Sequence, residues 1–485
     1  MALGAAVAAG VLAGAVPALG ALVAVGAWGA LALAWRPDLA APAVAFLLWA
    51  NVPVVAMRDH GVPKTIASAY LLLLLLPIVR SVARRGAGRA EDGLRAPVGL
   101  PWALAFMAFS LLSAAFARDP ARAIEGAKEY GLEGGVVFVL TGFAIQGTNT
   151  LRNVARGLVA AGAFMGAVAL LQQITGRFDS TFGGFALVDS GFTAGEVTQP
   201  RLAGPIGEKN RFGQAMLVAA GLGVGLARAE TSRTLRTVAL VAAGLSLAGG
   251  ALTFSRGFAV AAAALTVVMG AFGMVRLRAL VPMAVVGAAL LLALPQYRAR
   301  LATVVDVLAL TGPRASATKP DNAILGRATE VIAAVLVYVD HPVLGVGPSL
   351  FSSYSQEYGN SLGLRRLRTE REAHMLFPHI AAEGGTLGLG AFGLLLAAVM
   401  HRLWLLSRRA ETEVERELAR GYFSALVAYL LCGLFLHMAF VRYFWFLVAA
   451  SAAMAARPLR APESATSGPA PGGPRPLGAS VGGAV

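Results

Sequence analysis

Long uncharged runs separated by short charged ones set the plan of this chain. A helix crossing about 30 Å of hydrocarbon needs about 20 residues with few or no charges. After Trp35, twelve intervals fit: residues 39–57, 65–79, 96–117, 134–151, 157–176, 212–227, 237–255, 257–275, 279–297, 384–400, 421–441 and 443–456. Ahead of them Met1 to Trp35 is uncharged, rich in Ala and Gly, and interrupted by Pro17. That stretch predicts one long membrane helix or a hairpin of two; with no basic segment before it, and at that length, it does not read as a signal peptide. The expected fold is an all-α polytopic membrane protein of about 12 to 14 helices. Its parts would be an N-terminal helix or hairpin (1–35), a first membrane region (36–297), a large loop after the ninth counted span (298–385), a last membrane region (386–457) and a tail (458–485).

Composition sharpens this picture. Of 485 residues, 57% are hydrophobic and 14% charged, well below the quarter or so expected of a soluble domain. The single cysteine, Cys432, lies in an apolar run, which excludes a disulfide scaffold and reads as helix packing. The Pro/Gly/Ser/Ala tail reads as a disordered end.

Lys and Arg in short loops set orientation. Arg80 to Arg95 and Arg402 to Arg420 hold five arginines each and are expected inside. Parity then puts 118–133, 177–211, the turn Ser255-Arg256-Gly257 and 298–383 outside. The net charge of +15 partly reflects the inside-positive bias, so nucleic acid is set aside as a partner. The expected outside segments are basic too, with three, four and nine cations in 118–133, 177–211 and 298–383. Cations there suggest an anionic ligand such as a phosphate or pyrophosphate.

The spans carry no carboxylate, which leaves an ion-coupled transporter without positive support. His401 and His437, nearest a membrane interior, read as packing or interfacial groups. HExxH, CxxC, GxxxxGK[ST] and GxSxG are all absent, so zinc hydrolysis, P-loop chemistry and a nucleophile elbow have no local signal.

Three outside patches remain. Arg201-Leu-Ala-Gly-Pro-Ile-Gly-Glu-Lys-Asn-Arg-Phe-Gly213 is a turn-rich return to the membrane whose cations, Arg201, Lys209 and Arg211, lie at the depth of a lipid phosphate; for the latter two, interfacial snorkelling is the plain alternative. In Leu252-Thr-Phe-Ser-Arg-Gly257, Arg256 is the only charge between Arg236 and Arg276. Anchoring is the alternative there, and Ser255 could orient the side chain. The third patch holds His341-Pro-Val-Leu-Gly-Val-Gly347 and Glu372-Ala-His-Met-Leu-Phe-Pro-His-Ile-Ala-Ala-Glu-Gly-Gly385, with helical spacing over 374–383 leading straight into the next span. His374 could serve as a base, with His379 the rival, and a solvated surface histidine is the bland reading.

At these residues the sequence resembles the O-antigen ligase and polymerase superfamily of bacterial envelope glycan assembly, over roughly residues 96–455. The features, in order, are Arg201-x-x-Gly leading to Asn210, Leu-Thr-x-Ser-Arg-Gly at 252–257, Gly326-Arg327 followed by His-Pro-x-x-Gly-x-Gly, and a His ahead of Ala-Glu383-x-Gly-x-x-Gly-Leu. Two positions depart from the family pattern: Met375 stands where Asn usually follows the histidine, and Glu208-Lys209-Asn210 replaces Asn-Pro-Asn.

The resemblance implies glycan transfer from an undecaprenyl pyrophosphate carrier at the periplasmic face of the bacterial inner membrane, without cofactor, nucleotide or metal. The acceptor would be lipid A core in a ligase, a second lipid-linked glycan in a polymerase, or a protein hydroxyl. It implies His374 as base, Arg201 and Arg256 as pyrophosphate clamps assisted by Lys209, Arg211 and Asn210, and Ser255, Glu383 and Arg327 in support. Membrane lipid would surround the polyprenyl tail, and segment 298–383 would cap the site and select the acceptor.

Overall fold

The computed structural model describes residues 35–86, 94–194, 197–275, 322–362, 372–436 and 442–460, with the isolated positions 29 and 33. The expected N-terminal helix or hairpin, the interval at 279–297, His437 and nearly all of the tail lie outside the described residues, as do 298–321 and 363–371 of the large loop.

Helices dominate. α1 (Ala40–Trp49) and α2 (Val52–His60) form one path bent by 52°, with Asn51 at the break in the left-handed region. α3 (Lys64–Arg85), α4 (Leu100–Ala115) and α5 (Pro120–Glu129) follow; Asp119 caps α5 by accepting from the Arg122 N–H at 3.1 Å. A π-helical stretch, Tyr130–Val136, leads into α6 (Val137–Ala144), and α7 is Thr148–Thr175. The uncharged interval at 134–151 is therefore divided at Gly147, whose positive φ starts a new helix. α7 also takes in Arg152 and Arg156, charges that had marked a span boundary.

Within 177–211 the described residues add one short strand pair to the helices. β1 (Leu187–Ala194) and β2 (Val197–Gly204) form an antiparallel hairpin pairing Asp189 with Arg201. After it come α8 (Lys209–Ala229), α9 (Arg233–Ala251), α10 (Arg256–Ala271), α11 (Asn322–Asp340), α12 (Phe351–Ser361), α13 (Leu376–Arg409), α14 (Glu413–Gly433) and α15 (Arg442–Ala455). Among the described residues five helices, α3, α7, α8, α9 and α13, are long and apolar enough to cross a membrane, or six with the bent α1–α2 pair, and α4, α10 and α15 are shorter apolar helices. The protein is thus a mainly helical, multi-pass membrane protein.

α8 is the central helix, buried nearly throughout. It packs against α7, α9, α10 and α14, and small residues permit the approach: a Cβ on Gly225 would meet the Gly421 backbone of α14. With no water to drive helices together inside lipid, close packing of small residues is a main source of cohesion. A second apolar core, including Ala123, Ala127, Ala333, Val337, Phe351 and Tyr354, joins α5, α11 and α12 into a cap.

Bonds between the segments that join the helices fall into two sets. At one end Arg58 donates to the carbonyls of Pro205 and Gly184, Arg122 to Ser352 Oγ, and Arg201 to the 252–255 turn. At the other, Arg95 meets Gln146, Thr148 meets Glu415, Arg156 meets Glu230, and Arg402 meets the end of α15. Of the segments expected outside by parity, 118–133 meets a described part of 298–383 through Arg122 and Ser352, and 177–211 meets the 252–255 turn through Arg201.

Candidate active site

Two helix N-termini build the first half of the site. Glu208 caps α8, its carboxylate accepting from the Asn210 and Arg211 N–H groups at 3.0 and 2.7 Å. Ser255 caps α10, its hydroxyl accepting from the Phe258 N–H at 3.3 Å. The same hydroxyl donates to Asn210 Oδ1 at 2.8 Å, tying the two N-termini together. Ser255, which the sequence offers as a group to orient Arg256, caps the helix that Arg256 begins.

Arg201, expected to grip pyrophosphate directly, is buried beneath this turn. Its Nε and Nη2 donate to the carbonyls of Thr253 and Phe254 at 3.1 and 3.3 Å. These carbonyls lie just past the end of α9, where the helix dipole is negative and carbonyls lack helical partners. A guanidinium there answers both needs, and it holds Phe254 at a φ of 50°, a conformation an aromatic residue adopts only when its surroundings enforce it. Arg256 then stands at the first position of α10, half-buried. Lys209 Nζ lies 2.7 Å from Asp189 Oδ2, which also accepts from the Lys209 N–H. Arg211, half-buried, lines a small cleft with Trp49, Gln214, Tyr429 and Tyr443.

Asn51 and Arg58, which sequence reasoning missed, fix this return to the membrane by donating to the Pro205 carbonyl at 3.0 and 3.1 Å. The one available signal was Asn51 followed closely by Pro53 in an otherwise apolar run, a pattern that bends a helix.

The second half of the site is at the start of α13. Its helical run does not lead straight into the span: Gly385 breaks it at φ 59°, ψ −161°. Backbone groups released by that break are taken up by the 342–347 segment. Thr386 N–H donates to Pro342 C=O at 2.7 Å, Val346 N–H to Ala382 C=O at 2.9 Å, and Gly347 N–H to Glu383 C=O at 3.0 Å. A Cβ on Gly345 would strike the Glu383 backbone, and one on Gly385 the Val343 backbone. The His-Pro-x-x-Gly-x-Gly segment thus acts as the counterpart of a broken helix.

Histidines 374 and 379 have opposite settings. His379 is 3% exposed, with Nε2 3.4 Å from Glu383 Oε2 and its ring edge-on to Phe351. Glu383 Oε1 accepts from the Phe351 N–H at 3.3 Å, so this pair locks α12 onto α13. The His374 side chain is 33% exposed, in the bend before α13, with Nδ1 2.6 Å from Glu330 Oε2. Arg327 is exposed, just under one turn before Glu330 on α11.

Glu372 connects the halves. Burial raises its pKa above the usual carboxylate range, and the neighbouring Glu383 charge adds to this; His379, Arg211 and His374 act in the opposite sense. Arg211 of the first half is therefore an electrostatic neighbour of the segment bearing His374.

The described residues thus carry Lys209, Arg211 and Arg256 in the first turns of two linked membrane helices, and His374, partly exposed, beside the cap. A family model described as O-antigen ligase matches residues 241–393, from within α9 through α10 and the cap into α13. This match supports assigning the chain to the O-antigen ligase and polymerase family. No curated protein matches the chain.

Proposed function

We propose that the protein is a glycosyltransferase that moves a glycan from undecaprenyl pyrophosphate to an acceptor hydroxyl at the periplasmic face of the inner membrane. The observation that carries this reading is the junction of α8 and α10: two helix N-termini bound through Asn210 and Ser255, with Arg256 and Arg211 in their first turns. Helix N-termini and guanidinium groups both attract phosphate oxygens.

In this reading the acceptor oxygen attacks the anomeric carbon while its proton passes to His374. The bond from that carbon to the pyrophosphate oxygen breaks, with inversion, and the electron pair leaves on undecaprenyl pyrophosphate. Arg256 and Arg211, assisted by Lys209 and Asn210, stabilise that developing charge. Arg201 takes a positioning role, since its fork holds the turn that presents Arg256. The cap, with Arg327 on its surface, would meet the acceptor.

We favour lipid A core as acceptor, which makes the protein a ligase. The test is transfer by the purified full-length protein, given carrier-linked glycan and lipid A core in EDTA and resolved on a gel. One block moved onto lipid A core is the expected result. A ladder growing on the carrier would make it a polymerase using the same site, and no product would return weight to another acceptor or to lipid-linked sugar transport.

A further inference from the structure

Glu330 is out of place by the pattern of its own helix. α11 turns Thr329, Glu330, Ala333, Ala334 and Val337 inward, all at or below 1% exposure. At such a position an apolar residue is expected, because a buried carboxylate without a partner costs several kcal/mol. One ion-pair partner is His374 Nδ1, 2.6 Å from Oε2. The buried histidine, His379, has a different carboxylate, Glu383, supplied by its own helix. Glu330 comes instead from the cap, so the accessible histidine is held across an interface between cap and membrane domain.

We infer that Glu330 is a positioning residue for the transfer reaction, holding the His374 ring through Nδ1 so that Nε2 takes the acceptor proton. This rests on the assignment of His374 as base. A carboxylate against Nδ1 fixes the tautomer and ring orientation and stabilises the imidazolium formed as the proton arrives, the role a third group has in nucleophile–base systems generally. Atoms balance without any further reactant: the acceptor O–H proton goes to Nε2 and returns to water after product leaves. Because Glu330 belongs to α11, the base would be complete only with the cap seated, which links acceptor-side docking to chemistry.

The test uses full-length protein in lipid nanodiscs with carrier-linked glycan and whichever of the two lipid acceptors the wild type uses, following release of undecaprenyl pyrophosphate. Glu330→Gln keeps shape and removes charge; it should lower kcat by about 10- to 100-fold, with the donor KM within about twofold of wild type, as expected when only the transition state loses an interaction. Glu330→Asp, which restores the charge on a shorter arm, should recover part of the lost kcat. Thermal unfolding of each variant separates this from a packing defect. Glu330→Gln turnover equal to wild type would overturn the inference while leaving the glycosyltransferase reading standing. So would a kcat loss that Glu330→Asp does not relieve and that follows the loss of folded protein. A wild type without turnover on either acceptor would remove the reading on which the inference rests.

Discussion

The two ends of the helical bundle treat charge differently. At the end away from the candidate site, helix dipoles are complemented. Glu413 and Glu415 occupy the first turn of α14, Arg408 and Arg409 the last turn of α13, and Arg228 the last turn of α8. Cations there face buried carboxylates directly, Arg156 on Glu230, Arg228 and Arg420 on Glu417 at 2.6 Å, and Arg457 on Glu415 at 2.8 Å. Exposed Arg233, at the start of α9, is the exception. At the site end cations also stand at helix N-termini: Lys209 and Arg211 in the first turn of α8 beside its Glu208 cap, Arg256 in that of α10, and Arg442, paired with Glu133, in that of α15. A cation at a helix N-terminus opposes the dipole, by about 0.3–1 kcal/mol at exposed sites. Repeated at three helices, that cost makes sense where an anion arrives. In the proposed reaction one end would serve stability and the other binding.

The largest effect should come from the histidines at the site end. His374→Ala should abolish transfer, whereas His379→Ala should leave transfer per folded molecule while lowering the unfolding temperature, because it strands Glu383 in the interior. Gel-based transfer assays normalised to folded protein check both. The reverse pattern would move the base to the buried histidine and dissolve the distinction drawn from exposure.

Next comes the arginine that begins α10. Arg256→Lys keeps the charge and loses the planar fork that matches phosphate oxygens. Most transfer activity should disappear, about tenfold or more if a charge-assisted hydrogen bond worth roughly 1.5–3 kcal/mol is lost, while membrane insertion is unchanged. Near-normal activity in Arg256→Lys would make that side chain an interfacial anchor and remove the strongest reason to call this end a binding surface.

Much of this layout was legible in the sequence, for definite reasons. Charge-free length tracks the hydrocarbon thickness, so the multi-pass helical character could be read from composition, and inside-positive parity put 177–211 with 255–257, and 118–133 with 298–383, which the structure joins through Arg201 and Arg122. Positions fixed by backbone demand were harder. Gly147 and Gly385 break helices inside apolar runs, where hydropathy is blind to φ. The β1–β2 hairpin arises in a loop too polar for a span and too short to show a period. Arg201 was legible as an unusual cation, yet its bonds to Thr253 and Phe254 depend on where α9 ends, which residue type alone does not tell. Glu330 was invisible because its partner lies 44 residues further along the chain, across a contact between cap and α13.

The smallest effect, and the sharpest test of the contrast, belongs to the opposite end. Glu417 is 4% exposed and receives Arg228 and Arg420 together. Glu417→Gln keeps the shape and some hydrogen bonding while leaving two guanidinium groups without their shared anion, a loss of about 1–3 kcal/mol by analogy with other buried charged hydrogen bonds. It should therefore lower the unfolding midpoint in detergent and leave the transfer rate per folded molecule as in wild type. Comparing it with Arg256→Lys separates the ends: one variant should lose stability with its rate intact, the other rate with its stability intact. If Glu417→Gln slowed transfer without destabilising the protein, charge at the far end would be coupled to the chemistry, and the division of labour between the two ends would not hold.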